Sequence, residues 1–136
     1  MDELRIKRYH DKIQHIFDYI RDLPLEPKNE LEKRGIFYSL QTSIEAMIDL
    51  IAMLVKDLGT QVKDDNKNIS EIVKKRNINP ELGEKLKKAN GLRNIIVHRY
   101  NEIDEKLIID STGEVKDLLL HWIKIIEECI NEIKKT

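Results

Sequence analysis

The sequence predicts an all-α protein, a bundle of four to five helices around one long central helix. Three observations carry this. Apolar residues recur at spacings of three and four over most of the chain, the period of a helix with a buried face. Only 5 Gly and 3 Pro interrupt the 136 residues, too few for the many tight turns of an all-β fold. Pro24, Pro27, Gly59 and Pro80 fall where helices stop or start. The length suits a single domain, residues 1–136, and no internal repeat, linker or low-complexity segment breaks it.

The first helix covers Asp2 to Leu23, with Ile6, Tyr9, Ile13, Ile16, Phe17 and Ile20 on one stripe and Pro24 and Pro27 behind it. His10 and His15 are five apart, share no face, and read as surface residues. The second helix runs from Asn29 or Glu30 to Gly59, about 43 Å at the rise of an α-helix. Its apolar band includes Met47, Ile48, Ile51 and Ala52, and also Leu50 and Met53, so it covers most of the circumference. Such a helix must be buried on more than one side. The band points to a dimer interface, with burial wholly inside a monomeric bundle as the alternative.

Asn68-Ile69-Ser70-Glu71 resembles a capping box and starts a short helix to about Arg76. Asn79, Pro80 and Glu81 are the next start signal, for a helix running through Leu82, Leu86, Ala89, Leu92 and Ile96 towards His98. Gly91 sits inside it. An interior glycine costs about 1 kcal/mol against Ala, which the close approach of another backbone or a ligand would offset. Asn101 to Gly113 reads as a connection with a short piece at Leu107-Ile108-Ile109. The last helix then spans Glu114 to about Lys134, with Val115, Leu118, Leu119, Trp122, Ile123, Ile126 and Ile130 inward. Tyr9, Tyr19, Tyr38, Trp122 and Cys129 read as packing residues, and His121 as surface.

The charge is balanced, 24 basic residues against 25 acidic, so nucleic-acid binding would need a local patch. Lys74, Lys75 and Arg76 with Lys85, Lys87 and Lys88 are either such a patch or solvated helix faces. One cysteine, Cys129, excludes an intramolecular disulfide framework and a Cys-cluster metal site, and suits a reduced, cytoplasmic compartment. The N-terminus has no apolar signal region, and the continuous apolar runs are far shorter than the roughly 20 residues of a membrane span. A soluble protein with no membrane association is expected. Glu45 and Asp49 lie four apart in the long helix; a carboxylate among apolar residues is costly unless paired. They either bond the Arg or His described next or face solvent.

The chemically informative stretch is Gly91-Leu92-Arg93-Asn94, then His98-Arg99-Tyr100 and Ile103-Asp104. Arginine offers a planar fork of donors to a phosphate. Histidine exchanges protons near neutral pH. Tyrosine can donate a proton, attack as a nucleophile or stack on a base. Asn94 and His98 are four apart on one stripe, so Asn94 can orient the imidazole. Arg93 and Tyr100, seven apart, share another. Arg93 and His98 are five apart, about 140° round an ideal helix. They converge only if the segment bends, if Arg93 reaches round, or if two copies meet across a two-fold axis. By residue types alone, a salt-bridged helix end accounts for such a pair more often than a functional site does.

The Arg93-Asn94-x-x-x-His98 pattern resembles the signature of HEPN domains, and its extension to Tyr100 looks like the HepT family of HEPN toxins. The resemblance covers nearly the whole chain. Ser43 to Asp49 is similar to that family's long second helix, and the Gly91 to Asp104 block to its most distinctive segment. It implies a HEPN-like bundle acting as a homodimeric, metal-independent endoribonuclease toxin with no cofactor. It also implies a partner, a cognate minimal nucleotidyltransferase antitoxin that transfers AMP to the motif tyrosine, Tyr100, and silences the enzyme. On this resemblance Arg93 and His98 are catalytic. Arg93 holds the scissile phosphate of RNA, His98 moves the protons, Asn94 orients His98 or contacts phosphate, and Tyr100 lines the cleft. The expected product is a 2′,3′-cyclic phosphate. Two other classes stay open: a non-catalytic HEPN module binding a nucleotide or the nucleotidyltransferase, and a plain helical oligomerisation protein.

Overall fold

The computed structural model describes residues 1–98 and 101–135. It has five helices: α1 (Glu3–Ile20), α2 (Glu30–Asp57), α3 (Asp65–Lys75), α4 (Pro80–Val97) and α5 (Glu102–Lys134). No strand occurs among the described residues, so the all-α expectation holds. Each helix starts on an Asp or Asn whose side chain accepts a backbone N–H from the first turn. Asp2 does so from Arg5 at 2.8 Å, Asn29 from Glu32 at 2.8 Å, Asp64 from Lys67 at 2.9 Å and Asn79 from Glu81 at 3.0 Å. These caps satisfy donors that no earlier turn can reach.

α2 is the centre. It touches α1, α3, α4 and α5. Ala46, Met47, Ile48, Leu50 and Ile51 are all buried, although they point in different directions around the helix. The wide apolar band is therefore covered within one chain, and it gives no argument for a second copy. By length and composition α2 could also cross a bilayer; here its apolar residues are the core on which the other helices close. At its end Gly59 takes a φ of +81°, a left-handed conformation that favours glycine, and the chain turns away.

Two expected boundaries are corrected. Asn68 does not cap a helix. It lies buried inside α3, where its Oδ1 accepts from the Lys63 N–H at 2.8 Å and its Nδ2 donates to the Lys63 carbonyl at 3.0 Å. Asp64 is the cap, and Asn68 pins the incoming loop. Residues 101–113 are not a connection either. Asn101 and Asp104 form a reciprocal capping box, and α5 runs on unbroken for 33 residues. The Ser-Thr-Gly cluster that reads as a loop is accommodated inside the helix. Ser111 Oγ donates to the Leu107 carbonyl at 2.7 Å and Thr112 Oγ1 to that of Ile108 at 3.0 Å. A Cβ at Gly113 would sit 3.4 Å from Leu25 Cδ2, a tight fit against the α1–α2 connection.

Polar links lock the outer helices to this core. Asp57 near the end of α2 accepts from Arg5 Nε at 2.9 Å and from the Tyr9 hydroxyl at 2.5 Å, tying down the start of α1. Burial, then the bond to Asp57, pushes the Tyr9 hydroxyl well above the ordinary tyrosine pKa. The wholly buried Trp122 donates its Nε1 proton to the Leu82 carbonyl at 3.2 Å, joining α5 to the first turn of α4.

The two glycines of α4 predict opposite responses. A Cβ at Gly83 would lie 2.7 Å from the β-branched tip of Val73, whereas one at Gly91 meets nothing within 4 Å. Thermal melts should show Gly83→Ala less stable than wild type. Gly91→Ala should be more stable by up to about 1 kcal/mol, the helix-propensity gain. Tyr9→Phe should lose about 1 kcal/mol in urea unfolding at pH 7. A raised folded pKa stabilises fully below the unfolded value, near pH 10, and its contribution fades as pH rises past it. The stability of wild type should therefore fall more steeply above about pH 10 than that of Tyr9→Phe.

Candidate active site

The site is set by α4 and the start of α3. The two helices run antiparallel: Val73 abuts Gly83 at one end, and Asp65 meets Asn90 and Arg93 at the other. Gly83 permits that close approach. Leu86, Ala89, Leu92 and Ile96 commit another face of α4 to the core.

Arg93 is thereby turned towards α3. Its side chain is 23% exposed. Its Nη2 donates to Asn90 Oδ1 at 3.3 Å and lies 3.8 Å from Asp65 Oδ2. Asn90, itself buried, donates from Nδ2 to the same Asp65 oxygen at 3.0 Å. Asp65 is the first residue of α3, where the helix dipole favours a carboxylate. Arg93 Nε is buried with no hydrogen-bond partner among the described residues. The guanidinium is thus anchored through Nη2, and the 23% of the side chain open to solvent is what an anion could meet.

His98 is placed differently. It is the C-cap of α4, exposed, with extended backbone, and its N–H donates to the Asn94 carbonyl at 2.9 Å. Asn94, one turn earlier, is exposed too. These two are linked through the backbone, not through the Asn94 amide. Among the described residues no hydrogen bond joins Arg93 to His98, in keeping with their angular separation. Tyr100, the fourth residue of the motif, lies outside the described residues.

The carboxylate beside Arg93 comes from neither Glu45 nor Asp49. Asp49 is exposed and pairs with Lys12 at 3.4 Å, away from the motif. Asp65 is the carboxylate beside Arg93. Asn90, three residues before Arg93 on the same helix, was findable by spacing. Asp65 was not, because only the α3–α4 packing brings it there.

The other candidates take ordinary positions. His15 Nε2 lies 2.9 Å from Thr42 Oγ1, and its ring packs on Tyr19. Cys129 is buried, and burial pushes its thiol pKa up, away from a reactive thiolate. No group of three or more His, Cys, Asp or Glu gathers among the described residues. Of the basic residues considered as an RNA track, Lys85 pairs with Glu81 at 3.6 Å, Lys87 with Glu84 at 3.0 Å, and Arg76 with Glu132. A groove of about 800 Å³ runs between α4 and α5, with Lys88, Glu114, Asp117 and His121 around an apolar floor of Leu92, Ile95 and Leu118. Neither Arg93 nor His98 lines it.

Residues 6–125 match the profile of the family described as ribonuclease HepT-like. The chain belongs to that family. A relative from Archaeoglobus fulgidus, described as a candidate RNase, is 45% identical over 131 residues, covering 96% of this chain and 99% of the relative. The fold also matches a solved structure of a tri-AMPylated HEPN toxin from Shewanella oneidensis in complex with MNT antitoxin. The TM-score is 0.68 and the identity 22%, over 94% of this chain and 99% of that one. A second solved toxin–antitoxin structure, with AMP-PNP, matches with a TM-score of 0.67 and 21% identity, over 93% and 99% of the two chains. At these identities the structural likeness is one of fold. In this HepT-like chain Arg93 and Asn94 fall near the end of α4 and His98 is its C-cap.

Asn90 bridges Arg93 and Asp65 from a buried position, so Asn90→Ala leaves both without their shared partner. It should lower the urea midpoint, with a loss of about 1–3 kcal/mol at an unchanged m-value.

Proposed function

We propose that this chain is a metal-independent endoribonuclease, the toxin of a pair whose partner is a minimal nucleotidyltransferase antitoxin. The observation that carries the reading is the division of labour on α4. A HepT-like chain presents one arginine steadied at the edge of the bundle and, five residues on, one exposed histidine at the helix end. Those are the two functions that RNA transesterification needs: charge stabilisation at the phosphorus, and proton transfer at the oxygens.

The chemistry runs as an internal displacement. His98 accepts the proton of the ribose 2′-hydroxyl as the 2′-oxygen attacks the adjacent phosphorus. The bond to the 5′-oxygen breaks, and that oxygen takes a proton from a second imidazole. The products are a 2′,3′-cyclic phosphate and a 5′-hydroxyl. Arg93 meets the charge that builds on the non-bridging oxygens, where a preorganised donor contributes most. A homodimer supplies the second imidazole, His98 of the partner subunit, and sets two motifs in one cleft. Asn94 contacts phosphate or steadies His98. RNA enters without a metal or cofactor, in the cytoplasm.

Silencing acts at Tyr100. Its hydroxyl attacks the α-phosphorus of ATP on the antitoxin, pyrophosphate leaves, and AMP stays on the tyrosine. The added bulk and negative charge occupy the place an RNA phosphate needs. The AMPylated HEPN toxin among the fold matches supports this reading.

The test is cleavage of single-stranded RNA and transfer RNA in EDTA, with the mass of Tyr100 confirmed unmodified. Wild type should cut and leave cyclic-phosphate ends. His98→Ala and Arg93→Ala should each lose at least about a hundredfold in rate, the scale of one general acid–base or oxyanion group. Equal cutting by wild type and His98→Ala sinks the assignment. No cutting by unmodified wild type points to a non-catalytic module that binds a nucleotide or the nucleotidyltransferase.

A further inference from the structure

An arginine that serves a phosphate in flight works best if its fork is placed before the substrate arrives, since a free side chain loses rotamer freedom on binding. Arg93 is placed in this way, and from outside its own helix. Asn90 Oδ1 accepts from Nη2 at 3.3 Å, while Asp65 Oδ2 stands 3.8 Å from the same nitrogen, too far for a hydrogen bond and near enough for an ion pair. The Asn90 amide is in turn held by that Asp65 oxygen at 3.0 Å. One carboxylate oxygen at the tip of α3 therefore fixes both the guanidinium and the amide that touches it. The remaining side-on donor, Nε, is buried and unpartnered among the described residues. Its direction is set by the anchored nitrogen.

We propose that Asp65, acting directly and through Asn90, is the positioning residue for Arg93. It holds the guanidinium in register for the scissile phosphate of RNA without touching substrate itself. The proposal rests on the ribonuclease reading. It also makes a demand that a structural role would not. The Asp65 side chain is 43% exposed, and Asn has the same shape and keeps an oxygen to accept from Asn90, so Asp65→Asn removes the charge with little change to the fold. The carboxylate beside Arg93 repels an incoming phosphate, while its hold on Arg93 serves the transition state. Removing it should separate the two kinetic constants.

The experiment measures kcat and KM for a single-stranded RNA in EDTA, with thermal melts as a fold control. Asp65→Asn should lower kcat by about tenfold or more, the scale of one charge-assisted contact, with KM unchanged or reduced. Asp65→Glu, which keeps the charge on a longer stem, should recover part of the loss. The double variant Asp65→Asn/Arg93→Ala should be no slower than Arg93→Ala alone, because Asp65 acts only through Arg93. Wild-type kcat in Asp65→Asn, or losses that multiply in the double variant, would overturn the proposal. If unmodified wild type cuts no RNA, the ribonuclease reading fails, and NMR decides the positioning by itself. The Arg93 Nε–H resonance, identified by its loss in Arg93→Lys, should show rigid heteronuclear relaxation in wild type and mobile relaxation in Asp65→Ala. Equal relaxation in the two would overturn the positioning.

Discussion

Ala46, Met47, Ile48, Leu50 and Ile51 point in different directions around α2, yet none is more than 8% exposed. A helix with so wide an apolar band stays out of water only if several neighbours cover it. α1, α3, α4 and α5 must therefore wrap it, and each gives α2 one apolar stripe. The wrapping also dictates where polar links belong. Asp57 anchors α1 through Arg5 and Tyr9, and Trp122 anchors α5 to α4 through the Leu82 carbonyl. In each case the acceptor lies near a helix end, Asp57 at the end of α2 and Leu82 in the first turn of α4.

The motif inherits its geometry from that arrangement. α4 gives one face to α2 and presses a second against α3 at Gly83, which fixes its rotation. Arg93 then falls at the α3 boundary, mostly buried and beside a carboxylate. His98 falls where the helix unwinds, with its side chain in solvent. One residue is steadied and the other is free to reach. For phosphoryl transfer this division is useful, because charge stabilisation depends on preorganisation and proton transfer on access.

Much of this was legible in the chain. The first helix, the Asn29 start, the Gly59 stop and the Asn79-Pro80 start all appear where periodicity and capping chemistry put them, although Phe17, expected on the inward stripe of α1, is 40% exposed. The two misplaced helix boundaries share a cause. Asn68 and the Ser111-Thr112-Gly113 cluster carry loop chemistry in their sequence, yet each is helical. In the structure their polar groups find partners within reach, Lys63 for Asn68 and the preceding turn for Ser111 and Thr112. Local propensity is a weak prior when such partners exist. The wide band of α2 was read correctly as burial on several sides, but its cover comes from the same chain, not from a second one.

The sequence by itself determined the helical class, the existence of the long inner helix, and the pairing of Arg93 with His98 in one short block. Periodicity, capping residues and motif spacing act over a few turns and are written in the order of the residues. Only the tertiary structure decided which carboxylate stands beside Arg93. Asp49 and Asp65 are equally acidic in the sequence; one faces solvent with Lys12 and the other meets the arginine. The choice depends on the rotation of α4 against α3, and that rotation is set by the packing of many apolar side chains around α2 at once.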